Sequence, residues 1–446
     1  MTIKIRKGYN LPIAGAVESA QPARSVPARV VAISPDDYPG FEPKADVQPG
    51  NVVERGGILL HSKRFPSVAL VSPVSGTVRA VVRGERRKIL RVEVEAGNGV
   101  ARRFARPARG NVAGLRHLLA TSGILAMMRQ RPYDIIPDPE ADVRDIFVSA
   151  LATAPLAVAV DTPDAEAVRL AGAAVEALSM LTKGKVYICH GAGTPFPAIG
   201  CAEMVAVDGP HPAGNVGVQI AGIRPINKGE TVWTLSWDVL LRLGYLLEKS
   251  EIDSSVSVAI TGPEVTRPEV VVTTAGALIE PLLGGMLADD GRNKRIISGN
   301  VLTGIAVGMG PDAFLRAPYN QITVIAEGDD VDEFMGWASM SPSKMSVGRS
   351  FPLSGLRKLF RPDARLNGGR RSMIMSGEYD RMMPMDILPE YLVKAIMARD
   401  IEKMEQLGIY EVAPEDFALA EYADTSKLPL QKIVREGLDY LRKELE

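Results

Sequence analysis

Asp145-Ile-Phe-Val-Ser149, the alanine-rich run Asp164 to Leu181 and Val186-Tyr-Ile-Cys189 decide the fold class of the middle of this chain. The first and third are apolar runs of strand length, and the run between them has helical periodicity. Strand, helix and strand in that order form a parallel unit with its crossover, the mark of an α/β layer arrangement. Thr231-Val-Trp-Thr-Leu235 and a helical stretch from Asp238 to Glu248 close the unit. Gly191 and Gly193 follow the second strand as in a dinucleotide fingerprint, but the third glycine falls at Phe196 and Pro195 stands where the phosphate-binding helix begins. The stretch reads as loop geometry.

Upstream, short apolar runs alternate with glycine turns. Val47-Gln-Pro-Gly-Asn-Val-Val-Glu-Arg-Gly-Gly-Ile-Leu-Leu60, Val68-Ala-Leu-Val-Ser-Pro-Val-Ser-Gly-Thr-Val78 and Ile89-Leu-Arg-Val-Glu-Val94 predict a small all-β unit. Its spacing resembles the barrel-sandwich of biotinyl and lipoyl domains. The carrier lysine of those domains sits in Met-Lys-Met or Asp-Lys-Ala, whereas the corresponding tip here is Leu60-His-Ser-Lys-Arg-Phe-Pro66. Lys63 reads as a solvated turn lysine.

Downstream, Val256-Ser-Val-Ala-Ile260, Arg267-Pro-Glu-Val-Val-Val272, Leu278-Ile-Glu-Pro-Leu-Leu-Gly-Gly285, Arg295 to Gly299 and Ile322 to Ala326 give strand, strand, helix, strand, strand. That order resembles a β-grasp domain of the soluble-ligand-binding (SLBB) type. Past Asp329 strand signals are few, and Leu430, Ile433, Val434, Leu438 and Leu441 mark one face of a last helix. The expected division is a β barrel-sandwich over 1–106, a Rossmann-like α/β domain over 107–250, a β-grasp domain over 251–330 and a mainly helical domain over 331–446.

With 446 residues the chain exceeds one core, at roughly 100 to 200 residues per domain. Lys and Arg number 52 against 53 Asp and Glu, so no overall basic field exists to hold nucleic acid. Two cysteines, Cys189 and Cys201, exclude a disulfide framework and a cluster held by four thiolates, and they fit a reducing, cytosolic setting. No apolar run reaches the ~20 residues of a membrane helix. Leu11 to Val17 after a basic start is faintly like a signal peptide, but Pro12 and Gly15 interrupt it. His61, His117, His190 and His211 lack metal-ligand spacing. Cys189 and His190 face opposite sides of a strand, so Cys189 reads as a buried structural thiol.

Module order and local motifs together carry a resemblance over essentially the whole chain. Lys7-Gly-Tyr-Asn-Leu-Pro-Ile-Ala-Gly15, Ser72-Pro-Val-Ser-Gly-Thr-Val78, Gln130-Arg-Pro-Tyr133, His211-Pro-Ala-Gly214, Gly336-Trp337 and Gly377-Glu-Tyr-Asp-Arg-Met-Met-Pro-Met-Asp-Ile-Leu-Pro389 are the matching stretches. The chain resembles the A subunit of the sodium-translocating NADH:quinone oxidoreductase. It is more distantly similar to the flavoprotein subunit of complex I and the C subunit of the RNF complex. Those flavoproteins hold FMN with Gly-x-Gly-Gly-Ala-Gly-Phe-Pro, where this chain has Gly123-Ile-Leu-Ala-Met-Met-Arg-Gln-Arg-Pro-Tyr-Asp134. Side chains from Leu125 to Arg131 occupy the space where backbone must approach a phosphate. Their acidic pair is replaced within Ser149-Ala-Leu-Ala-Thr-Ala-Pro155, and no cysteine follows Cys201.

The resemblance implies a peripheral subunit on the cytoplasmic face of the bacterial inner membrane, holding no redox cofactor and having no independent activity. The complex it implies uses NAD, flavins and Na+ and passes electrons to ubiquinone. This chain contributes quinone contact, with other subunits as partners, or alternatively serves assembly alone. A quinone headgroup needs an apolar wall and one or two donors. Met127, Met128 and Tyr133 supply the wall in the altered flavin loop, Arg129 and Arg131 the donors, and Tyr38-Pro-Gly-Phe41 two further aromatics, Tyr38 and Phe41. The competing reading is that Tyr133 and Phe41 staple neighbouring domains. Met373, Met375, Met382, Met383 and Met385 follow a basic series from Arg349 to Arg371, which reads either as a docking surface for anionic lipid or acidic partners or as core beside a solvated loop.

Overall fold

The computed structural model describes residues 1–329, 341–347, 351, 353 and 356–445. Gly336, Trp337 and Arg349 therefore lie outside the described residues. The chain opens with two short strands, β1 (Thr2–Lys4) and β2 (Pro22–Ser25), that join sheets formed far downstream. It then builds β3 (Val30–Ile33), β4 (Pro43–Ala45), β5 (Val52–Val53), β6 (Ile58–Ser62), β7 (Ala69–Val71), β8 (Gly76–Arg83) and β9 (Ile89–Ala96). These form two antiparallel sheets, ordered β3-β9-β8-β5 and β4-β6-β7. Only glycine fits at Gly76, whose added Cβ would lie 1.9 Å from the Glu95 carbonyl oxygen across the ladder.

Next come α1 (Val112–Thr121), α2 (Ile124–Met127), β10 (Arg129–Arg131), β11 (Asp145–Ala150), α3 (Ala165–Ser179), β12 (Val186–Gly191), β13 (Glu203–Asp208), α4 (Val216–Ile223), β14 (Val232–Ser236) and α5 (Trp237–Lys249). The sheet order is β1-β13-β12-β11-β14-β10, parallel except for the antiparallel edge β10. Asp164 starts α3 as N-cap, its carboxylate accepting from the Ala167 amide, and Ser236 does the same for α5 through Val239. No helix joins β12 to β13, so the glycine run after Cys189 is a loop. Cys189 is fully buried, and burial pushes its thiol up to about 12.

The third sheet comprises β15 (Ser255–Thr261), β16 (Glu269–Thr274), β17 (Lys294–Ser298), β18 (Ile305–Val307) and β19 (Gln321–Ala326), with α6 (Ile279–Leu283) packed on it. Its order is β18-β17-β19-β15-β16-β2. The helical end holds α7 (Glu378–Met382), α8 (Pro389–Ala398), α9 (Ile401–Gln406), α10 (Ala418–Ala423) and α11 (Leu430–Leu445). α11 buries Leu430, Val434, Leu438 and Leu441, with Ile433 at the margin.

Residues 1–106 are thus not confined to the barrel-sandwich. β1 pairs with β13 in the α/β sheet and β2 with β16 in the β-grasp sheet, each covering an edge that the sheet would otherwise leave open. One apolar core runs from the barrel-sandwich through α1 and α2 into α3 and α5, so the first two units are fused rather than linked. Leu11 and Ile13 are buried, and Ile13 bridges to Phe360. No helix among the described residues is long and apolar enough to cross a membrane.

Candidate functional site

Chain order sets the site. β11, α3, β12 and β13 wind outward on one side of β11, while α4 returns the chain to β14 on the other side. The reversal between β11 and β14 is where doubly wound sheets leave a crevice beyond their strand ends. A cleft of about 1260 Å³ opens there. Ser149 borders it from β11 and Leu151 from just beyond that strand, Ser236 and Asp238 from β14 and α5, Asp37 from the barrel-sandwich, Tyr319 and Asn320 from the β-grasp unit, and Glu415 and Arg435 from the helical end. A recess of about 100 Å³ continues from it between Tyr38, Met127, Arg129, Arg242, Leu315 and Tyr319.

Two motifs of the sequence meet beside the cleft, which Gly214 lines. His211-Pro-Ala-Gly214 turns against the end of β11: the Gly214 amide donates to Thr153 Oγ1 at 2.8 Å, and Thr153 Oγ1 lies 3.2 Å from His211 Nδ1. A Cβ on Gly214 would stand 2.8 Å from that hydroxyl and 2.9 Å from the Leu151 carbonyl oxygen. A Cβ on Gly8, in the N-terminal motif, would stand 2.1 Å from the His211 carbonyl oxygen, so the two motifs pack on each other. His211 is buried, and burial holds its imidazole down at about 4. The other histidines are dispersed: His61 pairs with Asp46, His190 stacks on Phe196, and His117 is exposed on α1.

The expected quinone residues separate into two groups. Tyr38, Met127 and Arg129 meet at the recess. Tyr38 is buried, and desolvation raises its phenol above the usual range. Arg129 donates to the carbonyl of Asp37 at 3.0 Å and to those of Ala126 and Met128 at 3.2 Å each. Phe41 and Met128 lie in the shared apolar core and line neither space. Arg131 borders the cleft but is 1% exposed, enclosed by Glu415 at 3.0 Å, Asp416 at 3.4 Å and Asp134 at 3.6 Å. Tyr133 leans on the helical core, and its carbonyl accepts from Arg435 Nη2 at 2.6 Å. The altered flavin loop is a helical turn followed by an edge strand, with Leu125 and Met128 buried and Met127, Arg129 and Arg131 toward the cleft.

Sequence reading missed the junction beside Tyr38. Asp37 accepts from Arg316 Nε at 2.7 Å and from the Ala317 amide at 3.0 Å, joining barrel-sandwich to β-grasp unit. Burial raises the Asp37 carboxyl, with Arg316 opposing. Tyr319 donates to the Thr303 carbonyl at 2.5 Å, and burial pushes its phenol up to about 12. The available signal was Asp36-Asp37 directly ahead of Tyr38, and Arg316-Ala-Pro-Tyr319 ahead of a strand. Of the methionine group, Met382, Met383 and Met385 are buried in the helical core with Met373 against it, and Met375 is exposed. Met382, Met383 and Met385 are therefore core, while Met375 stays on the surface.

These features define a class: a barrel-sandwich, an α/β layer and a β-grasp sheet arranged around a switch-point cleft, followed by a helical end. Family models agree on the parts, matching the NqrA N-terminal barrel-sandwich hybrid domain over 3–97, the NqrA second alpha/beta domain over 111–252 and the NqrA C-terminal domain over 257–308. The A subunit of the Na(+)-translocating NADH-quinone reductase of Neisseria meningitidis serogroup B is 35% identical over 451 residues, covering 99% of this chain and all of the relative. The proteins of the same name from Serratia proteamaculans and Saccharophagus degradans are 36% and 35% identical with the same coverage. The chain belongs to the NqrA family.

Proposed function

We propose that this chain is the peripheral A subunit of a Na+-translocating NADH:ubiquinone oxidoreductase on the cytoplasmic face of the inner membrane, and that it holds a quinone headgroup in the recess between its first three units. The supporting observation is the meeting of Tyr38, Met127 and Arg129 at that recess. Tyr38 and Met127 offer apolar walls, and Arg129 offers a cation whose present partners are carbonyls rather than a carboxylate.

Charge on the cleft favours a neutral ligand. Asp36, Asp37, Asp134, Asp161, Asp164, Glu166, Asp238, Asp253 and Glu415 border it, against Arg129, Arg131, Arg242 and Arg435. A nucleotide or FMN phosphate entering such walls meets like charge, and the loop that cradles phosphate in the flavoproteins is replaced by α2 and β10. A quinone carries no charge and asks only for donors to its carbonyls. Electrons then reach it from other subunits of the complex.

The test is titration of the purified full-length chain with a short-chain ubiquinone, read from quenching of Trp237, which lines the cleft. Tyr38→Ala should weaken binding by about 1 to 2 kcal/mol, the scale of a lost aromatic contact and its area. Met127→Ala should weaken it in the same direction, and Tyr133→Ala should leave it unchanged. A saturable titration indifferent to both Tyr38 and Met127 would move the site elsewhere. No binding at all would favour the assembly-only role.

A further inference from the structure

The segment 356–375 crosses the surface from the β-grasp unit to the helical end. Phe360 is buried at one anchor, its amide donating to the Pro12 carbonyl at 2.8 Å and its carbonyl accepting from Ala14 at 2.9 Å. The Arg371 amide donates to the Ser426 carbonyl at 3.1 Å, and that of Ile374 to Ser426 Oγ at 3.1 Å, at the other. Leading into the first anchor, Leu356 is 76% exposed and Leu359 60%, and between the two anchors Leu366 is 56% exposed. They alternate with Arg357, Lys358, Arg370 and Arg371, which are exposed and form no ion pair among the described residues. Asp363 is the one acid in the segment, and it is already paired with Arg365. Positive charge is thus concentrated here in a chain whose total is −1.

We propose that this segment seats on the anionic surface of a lipid bilayer, with Leu356 and Leu359 entering the headgroup region and Arg357 and Lys358 meeting lipid phosphates. Leucines and cations on one irregular stretch suit an interface that is apolar below and anionic above, because basic side chains lay their stems on apolar surface while the charge stays at the phosphates. An acidic protein loop would satisfy the cations and leave the leucines in water. The Phe360 anchor fixes the Leu356–Leu359 tip to the folded body, so insertion would order little additional chain. The inference rests on the peripheral membrane placement proposed above.

Sedimentation of the full-length chain with vesicles tests it. Vesicles of phosphatidylcholine containing phosphatidylglycerol should retain the chain at least fivefold more than phosphatidylcholine alone, and raised salt should release it. Arg357→Glu with Lys358→Glu should abolish the difference, and Leu356→Ser with Leu359→Ser should lower retention at least threefold. Equal retention on both vesicle types, or a leucine variant that binds like the parent, would overturn the proposal, the latter pointing to an acidic protein partner. Membrane fractionation of cells carrying the whole complex checks the peripheral placement separately. A chain found there that ignores the vesicles refutes the lipid contact alone.

Discussion

Arg129 and Arg131 stand two residues apart on the same edge strand, yet their surroundings differ in kind. Arg129 at the recess meets three neutral carbonyls, whereas Arg131 is enclosed by three carboxylates from the same turn and the helical end. A guanidinium among carbonyls keeps its charge uncompensated and available to a ligand. One among carboxylates is committed to holding them together, since burying Asp416 without it would leave a bare charge. One strand therefore sets a guanidinium held by carbonyls at one end and a structural bolt at the other.

The most severe way to break this contrast is Arg131→Met. It strands Asp416 and the carboxylates around it, and should cost about 3 to 5 kcal/mol, as removing one partner of a buried pair does. Denaturant unfolding should show the loss, with quinone binding surviving in whatever fraction stays folded. Adding Asp416→Asn should restore part of it, because the orphaned acid is then neutral.

His211 extends the comparison to a buried group that meets its surroundings uncharged. Its imidazole sits at about 4 when folded and near 6.5 in the unfolded chain, so the unfolded state takes up the proton first as pH falls. The stability it contributes is present above pH 6.5 and declines toward pH 4, a loss of roughly 3 kcal/mol for a displacement of that size. His211→Asn should flatten that part of the stability profile measured by chemical denaturation. An unchanged slope would mean the imidazole is charged in the fold.

Asp37→Asn sharpens the junction side. The amide keeps an acceptor for Ala317 and loses the charge that Arg316 meets, at a cost of about 2 kcal/mol, typical for a charged hydrogen bond. Its effect should appear in quinone affinity as well as stability, because the bond joins two walls of the recess. Arg129→Gln should have the smallest effect on stability, about 1 kcal/mol, with a visible loss of quinone affinity. A large stability loss there would place Arg129 with Arg131 as a bolt.

Local chemistry made much of this fold legible. Asp164 and Ser236 cap their helices, the Leu430 to Leu441 stripe faces the helical core, and the runs around Phe147 and Ile188 are buried strands. The candidate site was half legible: Arg129, Met127 and Tyr38 carry their chemistry in residue type alone. What escaped depended on distant partners. Arg131 reads like Arg129 until Glu415 and Asp416 arrive from 284 and 285 residues away. Thr2 to Lys4 and Pro22 to Ser25 are too short for any periodicity, and only their pairing identifies them as strands.

Those two strands also set a clock on synthesis. β1 must wait for β13, about two hundred residues later, and β2 for β16 beyond it. At the ~5 to 20 residues per second of translation, the first strand is exposed on the order of 10 to 40 seconds before its partner exists. The barrel-sandwich sheets, whose pairings are local, can close long before. The N-terminal thread is therefore the last seam to be sewn in the first half of the molecule, and the place where a chaperone or a protease would find this chain unfinished.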